Sequence, residues 1–100
     1  MYRMILYDIN DNVLRTKLSK ILEQEGLIRV QMSVFVGMVE DTKLAVLESR
    51  LQNKIHDKLD KQDKILILDL SFNHLDQAKW VGDKPMEIDE ILGKVNELFF

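Results

Sequence analysis

Residues 2–9, Tyr-Arg-Met-Ile-Leu-Tyr-Asp-Ile, are apolar on both faces of an extended strand. Tyr2, Met4 and Leu6 point one way, and Ile5, Tyr7 and Ile9 the other. Residues 65–70, Ile-Leu-Ile-Leu-Asp-Leu, form a second strand of this kind. Such strands belong inside a sheet that is covered on both sides. The chain has 100 residues to do the covering, enough for one small domain with a thin core.

The stretches between these strands supply the cover. Residues 11–25 read as a helix, capped by Asp11 or Asn12, with Leu14, Leu18, Ile21 and Leu22 on one face. Gly26 stands where a left-handed C-cap is wanted. Residues 28–39 alternate, with Ile28, Val30, Met32, Val34, Val36 and Met38 on one parity. Arg29, Gln31, Ser33, Phe35 and Gly37 fall on the other. The stretch is about twice the usual strand length of ~5–6 residues. It is either one long strand or two, divided by a turn, bend or bulge near Met32-Ser33. A second helix over 41–55, capped by Asp41 or Thr42, aligns Leu44, Leu47, Leu51 and Ile55. Residues 54–64 read as a charged, solvated connector. Residues 79–82, around Trp80, form a short edge strand ended by Gly82. After Pro85, the spacing of Ile88, Ile91, Leu92, Val95, Leu98 and Phe99 predicts an amphipathic terminal helix with a docked apolar end, Leu98-Phe99-Phe100.

This order predicts an α+β, ferredoxin-like βαββαβ sandwich with an extra C-terminal edge strand and a short helix. Residues 1–84 are the ferredoxin-like domain, and 85–100 a C-terminal helix within it or at an interface. Two helices cover one sheet face only. The other face calls for a second copy in a C₂ dimer, or for the terminal helix folding back over part of it.

Composition removes several classes of function. With no Cys there is no disulfide scaffold or thiolate zinc site, which fits a reducing, cytoplasmic setting. No apolar run reaches the ~20 residues of a membrane helix, and the early Asp8 is unlike a signal peptide. The net charge of −3 speaks against nucleic-acid binding by bulk basicity. That acid excess lies in residues 65–100, with three basic and seven acidic side chains. Residues 1–31 hold five basic and four acidic ones. The acidic last third is therefore a candidate surface for a basic partner. His56 and His74 lack a second ligand at metal spacing and read as surface residues. No P-loop, dinucleotide fingerprint or Ser/His/Asp motif occurs.

Asp8 is the first residue that could carry chemistry. Ending its strand, it either helps cap the next helix or meets a second Asp8 across a two-fold axis. Two such carboxylates would share a proton or bind a cation, and Mg²⁺ suits so sparse a site. Arg29, Gln31, Ser33 and Phe35 form either a solvated strand face or a surface that meets phosphate, with Phe35 supporting an interface or stacking on a base. Arg15, Lys17 and Lys20 lie on the first helix, as a solvated face or a phosphate clamp. Arg15 sits near the helix N-terminus, which the helix dipole disfavours for a cation.

Tyr7-Asp8-Ile9, the run Asp11 to Lys17, Gly26-Leu27 and Arg29-Val30-Gln31-Met32-Ser33-Val34-Phe35-Val36-Gly37 together resemble the CRISPR-associated Cas-two (Cas2) family. The likeness runs without gaps from Tyr7 to Gly37 and is topological beyond. It implies a ferredoxin-like homodimer in which Lys79–Gly82 reaches the partner sheet. It also implies a role in CRISPR adaptation, as an adaptor that bridges Cas-one (Cas1) integrase dimers beneath a DNA prespacer. Some members are metal-dependent endonucleases on RNA or double-stranded DNA. By resemblance, Asp8 is the catalytic, metal-holding (Mg²⁺) residue at the dimer interface. By the same resemblance Tyr7, Arg15, Lys17, Arg29 and Phe35 belong to the nucleic-acid surface, which Gln31 and Ser33 join from the strand reading above. Lys17 replaces a commoner Arg and loses its bidentate geometry. Two alternatives stand beside this one: a toxin-type endoribonuclease similar to the virulence-associated D proteins, and a non-catalytic ferredoxin-like interaction module.

Overall fold

The computed structural model describes residues 1–93. The expected continuation of the terminal helix through Val95, Leu98 and Phe99 lies outside them. Four strands, β1 (Tyr2–Asp8), β2 (Ile28–Gln31), β3 (Val34–Met38) and β4 (Lys64–Leu70), form one antiparallel sheet in the order β2-β3-β1-β4. Helices α1 (Asn12–Gln24) and α2 (Asp41–Lys54) connect strands that are not neighbours, as the ferredoxin-like layout requires. A 3₁₀ turn at His56–Lys58 and two short helices, α3 (Phe72–Asp76) and α4 (Glu87–Ile91), complete the chain.

Local chemistry sets the element ends. The Asp11 side chain accepts from the Leu14 N–H at 2.9 Å, so Asp11 caps α1 and Asp8 does not. Gly26 follows α1 with φ +89°, a conformation that costs glycine little. At α2 the expected caps are displaced. Glu40 takes the N-cap position without a side-chain bond, and Asp41 turns instead to Arg3. Arg3 is buried and donates to Asp41, Asp69 and the Val39 carbonyl, which ties β1 to β4 and to the start of α2. The long alternating stretch is two strands with a tight turn at Met32-Ser33. A bulge between Arg29 and Gln31 breaks its parity. Arg29 lies opposite Phe35, but Gln31 lies opposite Val34, so Gln31 leaves the expected polar stripe.

The sheet separates two cores. On one face Ile5, Tyr7, Ile9 and Phe35 pack with Leu14, Leu18, Leu22, Leu47 and Leu51 of the helices. On the other, Tyr2 and Val36 pack with Leu75, Ile88 and Leu92 of the C-terminal segment. The Tyr2 hydroxyl donates to the Ile91 carbonyl at 3.0 Å, fastening that segment down. The fold-back alternative is therefore realised over the Tyr2 end of the face. Toward the Asp8 end the cover stops: Leu66 is 51% and Leu68 41% exposed. The expected edge strand around Trp80 does not form, because residues 77–86 pair with no strand among the described residues. Among the described residues, no helix is long and apolar enough to cross a membrane.

Candidate nucleic-acid interface

Adjacent residues of a strand project to opposite faces, and this divides the expected site in two. Tyr7 points into the helix-side core, and Asp8 ends β1 on the open face, exposed and opposite Lys64.

On the helix side, the end of β1, the first turns of α1 and the β2–β3 turn enclose a cavity of about 250 Å³. Tyr7, Asn12, Arg15, Thr16, Ser19, Arg29, Met32 and Ser33 line it. The turn is pinned by the Tyr7 N–H, which donates to the Ser33 carbonyl at 3.0 Å. Phe35 does not line the cavity but packs beneath two residues that do, Tyr7 and Arg29. It is wholly buried, its ring lies 6.3 Å from that of Tyr7, and the Arg29 guanidinium sits 5.2 Å above it. A ring with no exposed surface cannot stack on a base, so Phe35 is a core residue that seats Arg29. Arg15 Nη1 donates to the carbonyls of Ile9 (2.8 Å) and Asn10 (3.0 Å). These bonds hold the β1–α1 loop, and they counter the dipole cost of a cation at this helix end. Burial pushes the Tyr7 phenol above its ordinary value, against the opposing pull of Arg29 and Arg15. The phenol thus stays protonated beside two guanidinium groups, as a hydrogen-bond donor. Two cations and a donor around one small cavity suit a phosphate oxygen.

Lys17 does not join this pocket. Two positions along a helix from Arg15, it faces away, toward Lys58 and Lys54. Lys20 lines a shallow neighbouring cavity with Lys17. The sequence reading missed Asn12, Thr16 and Ser19, although with Arg15 they form one i, i+3, i+4, i+7 stripe of α1. His56 and His74 are both exposed, as expected.

Among the described residues no group of three or more His, Asp or Glu is placed to hold a metal. Asp63, in the neighbouring loop, accepts from the backbone N–H groups of Asn10 and Asp60. One exposed carboxylate per chain is a sparse donor set, at the lower end of the one or two carboxylates by which Mg²⁺ is usually held.

The family profile described as "CRISPR associated protein Cas2" matches residues 1–78. A protein of Methanospirillum hungatei named "CRISPR-associated endoribonuclease Cas2 1" is 31% identical over 96 residues, which is 96% of this chain and 90% of that protein. A "CRISPR-associated endonuclease Cas1/endonuclease Cas2 fusion" of Thermoproteus tenax is 36% identical over 55 residues, covering 55% of this chain and 21% of the fusion. The crystal structure of Streptococcus pyogenes Cas2 at pH 6.5 superposes with a TM-score of 0.69 at 25% identity, covering 82% of this chain and all of that one.

Proposed function

The chain belongs to the CRISPR-associated Cas2 family, and from that membership we propose that it is a homodimeric, nucleic-acid-binding protein of spacer acquisition. In this reading it is an adaptor that bridges Cas1 integrase dimers and holds prespacer DNA. The observation that carries it is the open strip Leu66-Leu68, which belongs to the same face as Asp8. A second copy of the strip would match it in polarity, and a two-fold axis there would bring the two Asp8 carboxylates toward each other. The Thermoproteus tenax relative, whose name joins a Cas1 to a Cas2 in one chain, supports the partnership.

In this role Arg29, the remaining N–H groups of Arg15 and the Tyr7 phenol grip the phosphate backbone from the helix side. Phosphate contacts set position without reading sequence, as an adaptor for varied prespacers needs. Mg²⁺ held by the paired Asp8 carboxylates would supply Lewis-acid stabilisation of charge on a phosphodiester. The single Asp8 per chain, with no general base beside it, makes cleavage the lesser half of the function.

The test is spacer acquisition in cells that lack the native gene and carry either the wild type or Asp8→Ala. The adaptor reading expects acquisition with both. Acquisition that proceeds without the protein sinks it. A second reading, endoribonuclease activity, is favoured by the name of the Methanospirillum hungatei relative. It expects RNA cleavage that is lost in EDTA and in Asp8→Ala. Cleavage that persists in EDTA rules out a metal at Asp8.

A further inference from the structure

The antiparallel pairing of β1 with β4 sets Asp8 directly opposite Lys64. Residues opposite each other in such a ladder send their side chains to one face, with Cβ atoms about 4.5–5.5 Å apart. Asp8 and Lys64 therefore emerge side by side on the open face, where the row from Lys64 continues through Leu66 and Leu68. Both are exposed. Among the described residues no ion pair involves either side chain, although each carries a full charge. The carboxylate next in sequence, Asp63, is turned to the backbone N–H groups of Asn10 and Asp60. A single copy thus presents one anion and one cation beside its apolar strip, juxtaposed by the ladder and not yet joined.

We propose that Lys64 is the resident counter-ion of the Asp8 site, and that a divalent cation enters only by taking its place. This rests on the homodimer proposed above and adds a residue to the site between its copies. A two-fold axis through the Leu66-Leu68 strip brings two Lys64 ammonium groups to the same place as the two Asp8 carboxylates. Two carboxylates alone repel each other, more strongly as the interface excludes water. The two ammonium groups balance them one for one. The flexible four-carbon stem of lysine lets each serve its own Asp8 and the partner's Asp8. In water such a pair is worth little, which fits its being unformed in one copy; it gains strength when a second copy dries the face. A site neutralised in this way assembles without a metal. Mg²⁺, which sheds its waters reluctantly, binds there as the ammonium groups swing aside.

The experiment measures the dimer dissociation constant of the full chain by sedimentation, once in EDTA and once in millimolar Mg²⁺. The wild type is expected to dimerise equally well in both. Lys64→Gln is expected to weaken the dimer roughly tenfold in EDTA and to regain it in Mg²⁺, because the metal then supplies the missing charge. Asp8→Asn/Lys64→Gln, with neither charge left, is expected to dimerise without regard to Mg²⁺. Lys64→Arg keeps the wild-type behaviour in EDTA, and Lys61→Gln, which removes a nearby exposed charge, changes nothing. A Lys64→Gln dimer as tight as the wild type in EDTA overturns the role of Lys64 and leaves the homodimer standing. A wild-type dimer that falls apart in EDTA also overturns it, since the metal and not Lys64 is then the counter-ion. Equal weakening in Lys61→Gln overturns it as a general effect of charge. A wild type that is monomeric in both solutions overturns the homodimer as well. Lys64 is exposed at the first position of β4, so circular dichroism of Lys64→Gln is expected to match the wild type, and Lys64→Arg carries the test should it not.

Discussion

Lys17 shows how much a single residue's role depends on its neighbours in space. By sequence it belongs with Arg15 on α1, and in the fold it belongs with Lys58 and Lys54. Its ammonium is held below the usual 10.5, so the folded state disfavours the charged form relative to the unfolded chain. The sign follows from linkage. The fold carries this penalty at neutral pH, and it disappears as pH rises past the lowered value toward 10.5. Lys58→Gln is therefore expected to move the Lys17 titration upward, as followed by NMR of its side chain. Titration at the same pH in both proteins would show that the two ammonium groups do not meet. Arg3 makes the opposite case among basic residues. It is buried, yet held by Asp41, Asp69 and the Val39 carbonyl, so its charge binds three elements together.

At the scale of elements, β3 shows where one side chain serves both core and site. Phe35 is wholly buried beneath Tyr7 and Arg29. Phe35→Ala is expected to cost about 3–5 kcal/mol of stability, read by denaturant unfolding. Phe35→Leu keeps most of the apolar volume and removes the ring that seats Arg29. It is expected to weaken duplex binding with a stability loss below about 1.5 kcal/mol. Binding unchanged in Phe35→Leu would show that Arg29 needs no aromatic seat. The elements themselves were largely legible. Two-sided apolar strands, two amphipathic helices and a Gly after α1 are local signals that survive packing. The Arg29–Gln31 bulge was not, because a bulge is a property of two paired strands and one strand's alternation cannot reveal it. The short α3 was overlooked, though its start is written in Ser71 and His74, whose side chains each bond the other's backbone N–H. The stripe Asn12, Arg15, Thr16, Ser19 was readable too, but three of its four members are uncharged and give no signal in a reading led by charge. The influence of Lys58 on Lys17 was beyond reach, since the two are distant in sequence and only the fold brings the 3₁₀ turn near α1.

At the scale of the whole molecule, the mismatch between greasy strands and scarce cover is half resolved inside the chain. The C-terminal segment seals the sheet at Tyr2, Val36 and Ile28, and leaves Leu66 and Leu68 in water. The indole N–H of Trp80, in that same segment, is buried without an acceptor among the described residues. Val81, fully exposed beside it, joins no ladder among the described residues. In the homodimer proposed above, a second copy would set apolar strip against apolar strip and offer residues 79–82 a further strand edge. Leu66→Glu/Leu68→Glu is expected to turn a dimer into a folded monomer, read by light scattering with circular dichroism as the check on fold. The two leucines are already about half exposed, so the charges cost the monomer little, while burying four carboxylates in a dimer is prohibitive. A double variant that remains dimeric would move the two-fold axis away from Leu66 and Leu68. It would also part the two Asp8 carboxylates of the proposed dimer, and with them the metal site proposed between them.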